Sequence, residues 1–101
     1  MAENIFLELQ EVLKAERPVN VGFQHTEYAK RLLGVALRFQ DRLYREDVER
    51  FHTDLFMEAD AYRESYGSLI NHNTWDGYMN QMKTVLDPSR FRSKHETQAK
   101  S

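Results

Sequence analysis

Cysteine is absent from the 101 residues, which removes disulfide cross-links, thiol nucleophiles and any zinc or iron-sulfur site built on cysteine. Glycine and proline are nearly as scarce, at four and two. Gly22, Gly34, Gly67 and Gly77 stand alone, so no glycine-rich loop can form to cradle nucleotide phosphates. With so few turn formers the chain has little means of making the reversals of a β-protein; its weak strand signal is confined to Pro18 through Phe23. No stretch approaches the ~18 uncharged apolar residues of a membrane span. Met1-Ala2-Glu3-Asn4 lacks the basic and apolar parts of a secretory signal, so a cytoplasmic location is expected. Ser65 and Ser68 lie near His72 without a nucleophile turn or an oxyanion loop, and a hydroxyl without an orienting base is inert. The expectation is a non-enzymatic chain with no cofactor.

What remains is polar and helical. The hydrophobic fraction is 41%, the charged fraction 30% and the mean hydropathy -0.74, which predicts a thin core. The length fits a single domain, placed at residues 1–91. Residues 92–101 form a basic tail without a large apolar side chain; with no burial to offset ordering entropy, it is expected to be disordered.

Helical spacing runs through almost the whole chain, so the fold class expected is all-α: one long central helix flanked by two short amphipathic ones. In the first, Ile5, Phe6, Leu9, Val12 and Leu13 share a side; Asn4 supplies the N-cap and Arg17-Pro18 the stop. Pro18 to His25 is the linker. From Thr26, taken as a cap, the apolar spacing continues through Ala29, Leu32, Leu33, Ala36, Leu43, Val48, Phe51, Leu55, Ala59 and Tyr62. The helix is expected to close at Gly67 or at Asn71 to Asn73. The last helix begins at Thr74, carries Trp75, Tyr78, Met79, Met82, Val85 and Leu86 on one face, and ends at Asp87-Pro88.

A helix from Thr26 to Tyr66 would be ~60 Å long, far beyond a globule of this size with a radius of gyration of ~13 Å. Either it breaks near Arg45-Glu46-Asp47, where the apolar stripe changes phase, or a second copy covers it. Val48, Leu55, Tyr62 and Leu69 stand seven apart, with Tyr44, Phe51 and Glu58 between them, a heptad-like seam marred by one acid. The expectation is a helical homodimer whose seam is Tyr44, Val48, Phe51, Leu55, Tyr62 and Leu69.

Charge is segregated beneath a formal net of -2. Residues 27–45 carry two acids and five bases, and residues 46–64 seven acids and two bases. On a continuous helix Arg31, Arg38, Arg42 and Arg45 form an outward stripe, and guanidinium forks suit carboxylates or phosphates. The bland reading is a solvated face with Glu27 to Arg31 and Asp41 to Arg45 pairs. A sharper one sets the basic half of one long helix against the acidic half of another in an antiparallel dimer, charge fixing orientation and register. These arginines, together with Phe56 and Met57, are also the candidate docking surface for another protein. On that reading Arg38→Glu with Arg42→Glu should spare the fold and abolish partner binding. Nucleic acid, contacted by the stripe with Arg90, Arg92 and Lys94, is the alternative; a pI near 6.1 and the acidic block on the same helix oppose it. Glu49 and His52 have the Glu-x-x-His spacing of di-iron bundles, with Glu46 or Glu58 as further ligands. One motif does not make a site, so no metal is expected. His25, His72 and His95 read as surface residues.

Overall fold

A computed structural model describes residues 4–17 and 24–94. The described residues are all-helical, in four α-helices: α1 (Ile5–Glu16), α2 (Gln24–Phe39), α3 (Arg45–Tyr66) and α4 (His72–Val85), with 3-10 turns at Gln40–Arg42, Gly67–Leu69 and Pro88–Arg90. None of them is long and apolar enough to cross a membrane. The strand signal at Pro18 to Phe23 and the tail from His95 onward lie outside the described residues.

The long central helix is broken. After Phe39 the backbone tightens into a 3-10 turn, then extends at Leu43 (ψ 143°) and Tyr44 (ψ 162°) before α3 begins. The break falls just before Arg45-Glu46-Asp47, and apolar phase explains it. Five residues separate Leu43 from Val48, about 140° of rotation on a continuous helix, so only one of the two could face the core. Interrupting the helix buries both, Leu43 to 6% exposure and Val48 to 0%. The new N-terminus is well served: Arg45 N donates to Arg92 O at 2.8 Å, and Glu46 and Asp47 set negative charge in the first turn.

Capping accounts for most other ends. Asn4 Oδ1 accepts from Phe6 N and Leu7 N at 3.1 and 3.2 Å, as expected. Thr26 is not a cap; α2 starts at Gln24, and Thr26 Oγ1 accepts from Asn71 N at 3.0 Å, tying α2 to the start of α4. Asn71 replaces Thr74 as the N-cap of α4, accepting from Thr74 N at 3.1 Å. Gly67 sits at φ -55°, ordinary right-handed geometry, so it closes α3 without using glycine's freedom. Asp87 caps the final turn through Ser89 N at 3.0 Å.

α2 is the central element, packed against α1, α3 and most extensively α4. Its Tyr28, Ala29, Leu32, Val35, Ala36 and Phe39 meet Leu9 of α1, Phe51 and Leu55 of α3, and Trp75, Met82 and Leu86 near the C-terminus in one core. The expected dimer seam is therefore closed within a single chain. Val48, Phe51 and Leu55 are 0% exposed and Tyr62 4%, while Tyr44 and Leu69, at 38% and 56%, lie outside the core. Once the rod is divided, its length no longer calls for a second copy. The tail's first residues are docked too: Lys94 N donates to Glu46 Oε1 at 2.9 Å, Lys94 Nζ pairs with Asp47 at 3.3 Å, and Ser93 Oγ bonds Glu46.

Candidate protein-binding face

The arginine stripe remains exposed at Arg38, Arg42 and Arg45, but its guanidiniums are engaged by groups of the chain itself. Arg42 binds Glu8 of α1 in a fork, at 2.6 and 2.9 Å. Arg38 pairs with Glu16 at 3.5 Å, and Arg31 donates to the Glu16 carbonyl at 2.9 Å. Arg45, beyond the helix break, donates to the carbonyl of Phe91 at 3.1 Å. The stripe is thus divided between holding α1 on α2 and holding the C-terminal segment on α3. Neither the Glu27 to Arg31 nor the Asp41 to Arg45 pair forms. Glu8 is held below the usual carboxylate range, chiefly by its hydrogen bonds from Arg42.

A second clamp closes the other end of α1. Arg17 Nε donates to Glu58 Oε2 at 2.9 Å, and the Tyr28 hydroxyl donates to the same oxygen at 2.7 Å. Glu58, the acid that marred the heptad, is thereby satisfied. Burial first, and then the bond to Glu58, push the Tyr28 phenol well above its ordinary range. Tyr28 and Tyr62 rings lie 4.3 Å apart, and the Tyr62 hydroxyl contacts His25 Nδ1 at 2.7 Å. His25 is buried rather than on the surface, stacked on Tyr66 at 4.4 Å. His72 is exposed but engaged: Nδ1 accepts from Arg63 Nε at 3.1 Å, which leaves Nε2-H to donate to the Gly67 carbonyl at 2.9 Å.

His52 is half-buried beside Phe56, their rings edge to face at 4.4 Å. Burial and then the charge of Lys83 lower its pKa. Among the described residues no group of three or more potential ligands gathers around it or elsewhere. Phe56 itself packs against the core and under Lys83, whose Nζ is 5.7 Å from the ring centre. Of the expected apolar pair only Met57 is free, at 65% exposure.

One open surface belongs to α3. Its buried residues Val48, Phe51, Leu55, Ala59 and Tyr62 fall within an arc of about 80°, and Glu49, Thr53, Met57, Asp60 and Glu64 fall within an equally narrow arc opposite. All five are exposed. Glu49, Asp60 and Glu64 form no ion pair among the described residues, and neither does Asp54, on the flank toward α1. The cations of the same block are occupied: Arg63 pairs with Asp76 at 2.8 Å, and Arg50 lies 4.0 Å over the Phe6 ring. This outer face was missed because the acids were read as a dimer's counter-charge. The available signal was the spacing of Glu49, Asp60 and Glu64 opposite the apolar stripe.

The grooves around α3 are open clefts between helices. One, of about 230 Å³, lies between α1 and α3 and is lined by Gln10, Leu13, Asp54, Met57 and Glu58. Another, of about 470 Å³, lies between α3 and α4 and includes Phe56, Asp60, Arg63 and Lys83. They lack the enclosed, apolar character of small-molecule sites. No protein-family model, curated protein or solved structure matches this chain.

Proposed function

We propose that this chain is a non-enzymatic protein-binding module that docks a basic surface of a larger partner on the outer face of α3. The observation that carries this reading is the exposed Met57 set among carboxylates that form no ion pair among the described residues. A methionine is an adaptable apolar contact, and unpaired acids around it give orientation and faster encounter with a positive partner. The arginines, expected to meet the partner, are exposed but engaged by groups of the chain itself. Nucleic acid is disfavoured by the same geometry, because the stripe's guanidiniums are turned onto carboxylates and carbonyls while an acidic face looks outward.

A homodimer through this face has little to recommend it. Among the described residues Lys30 and Arg92 are the cations with no ion pair, ring contact or side-chain hydrogen bond, and Arg31 and Arg90 are bound only to backbone carbonyls, so the cations of a second copy are mostly engaged within it. Light scattering over a concentration series should stay near 12.0 kDa; a mass of twice that value would restore the dimer. The direct test compares wild type with Asp60→Lys/Glu64→Lys as immobilised bait at low salt. The double variant is expected to lose the retained partner, and equal retention by both would overturn the reading.

A further inference from the structure

Resting on that reading, we propose that the cleft between α1 and α3 receives a lysine or arginine side chain from the partner, its apolar stem against Leu13 and Met57 and its charge at Asp54. Three observations converge on this cleft. First, α1 packs on α2 and leaves an open groove along α3, where Leu13 is 4% exposed and Met57 65% exposed. An apolar inner wall with an apolar edge suits the methylene stem of a long basic side chain, which can bury its carbons while keeping its charge near water.

Second, the chain makes this same contact once on its own behalf. Arg17 spans from the end of α1 to α3, and both its Nε and a terminal nitrogen reach Glu58 Oε2 at 2.9 Å. Asp54 stands one helical turn before Glu58, lines the adjoining part of the groove, and has no such cation among the described residues. Lys14 lines the adjoining groove beside Arg17 rather than this cleft, and pairs with Glu11 at 3.6 Å on the surface. Third, Met57 belongs to both the cleft and the outer face, so a segment seated over it meets Asp54 on one flank and Asp60 and Glu64 on the other. The occupant this fits is a helical segment with lysine or arginine next to leucine-like residues, in the manner of helix-in-groove recognition. Asp54 would select a cation, while Glu58, already shared by Arg17 and Tyr28, forms the fixed wall.

The test uses the full chain and a synthetic helical peptide carrying lysine and leucine on one face, with a control in which every lysine is glutamate. Binding is followed by amide chemical shifts and titration calorimetry. The lysine peptide should shift Leu13, Asp54 and Met57, the glutamate peptide should not, and Asp54→Asn should weaken binding about tenfold or more. Asp54→Glu should restore most of it, which a general structural defect would not do. If Asp60→Lys/Glu64→Lys weakens binding and Asp54→Asn leaves it unchanged, the cleft assignment fails while the outer-face reading stands. If Asp54→Asn matters and the double variant does not, the outer-face reading fails and the cleft remains. Absence of any shift at α3 overturns the cleft assignment outright.

Discussion

Residues 27–45 and residues 46–64 carry opposite charge and meet opposite fates. In the first, Arg31, Arg38 and Arg42 turn onto α1; in the second, Glu49, Asp60 and Glu64 are exposed and form no ion pair among the described residues. The cause is how many neighbours each helix has. α2 is packed on three sides, and its buried residues from His25 to Phe39 span an arc of about 160°, against about 80° for α3. A charged side chain on α2 therefore lies within reach of another helix over a wider arc, while one on α3 can stand opposite the core. A charge stripe marks a partner surface only when the helix bearing it is covered on one side alone.

Breaking that distinction within α3 should give the largest effect. Phe51 is fully buried, its ring 5.2 Å from Phe39, and Phe51→Ala is expected to cost about 3–5 kcal/mol through lost burial and a residual cavity. Met57→Ala, two turns away on the outward side, should change stability by no more than about 0.5 kcal/mol. Urea denaturation midpoints distinguish them. Similar losses at both positions would mean that α3 has no free side.

The arginine stripe was expected to be dispensable for folding, but the pairs of Arg38 with Glu16 and Arg42 with Glu8 predict otherwise. Arg38→Glu with Arg42→Glu puts like charges against Glu16 and Glu8 and should loosen α1. The expected result is a melting temperature lower by several degrees, with amide exchange accelerated in α1 more than in α4. Unchanged exchange in α1 would show that these pairs contribute nothing and that Leu9 and Leu13 suffice.

Much of this architecture was legible in the chain. The all-helical class, the Asn4 cap, the stop at Arg17-Pro18 and the Trp75 to Leu86 face follow from spacing and capping chemistry, which are local. The phase change between Leu43 and Val48 was visible too, but the heptad spacing after it argued equally for a partner helix. Which of them holds depends on whether α1 and α4 can reach that side of α3, a long-range matter that no local pattern carries. The engagement of the arginines was hidden for the same reason. Arg42 and Glu8 lie 34 residues apart, so nothing near Arg42 in sequence announces its partner, whereas Met57 was identifiable because exposure opposite an apolar stripe is local.

Titration offers a finer probe of the side of α3 that meets α4. Burial and Lys83 hold the His52 imidazole below its usual 6.5, so the folded chain binds this proton less readily than the unfolded one. The contribution to stability is complete above about pH 6.5 and is lost progressively as pH falls below it. His52→Gln should flatten the slope of stability against pH between 7 and 5 relative to wild type, read from denaturation midpoints across that range. Parallel slopes would place the imidazole in water in both states.

The smallest effect, and the one on which the open face depends, is the stability of Asp60→Lys/Glu64→Lys. Lysine at position 64 lies in the last turn of α3, where positive charge favours the helix dipole. Lysine at position 60 adds an ammonium to a groove that already holds Arg63 and Lys83, an opposing contribution. The two should nearly cancel, leaving stability within about 0.5 kcal/mol of wild type by urea titration. A loss of several times that would mean that Asp60 and Glu64 stabilise the chain itself, as Glu8 and Glu16 do by holding the arginines of α2. The two charged blocks would then be alike, and α3 would have no acids to spare for a partner.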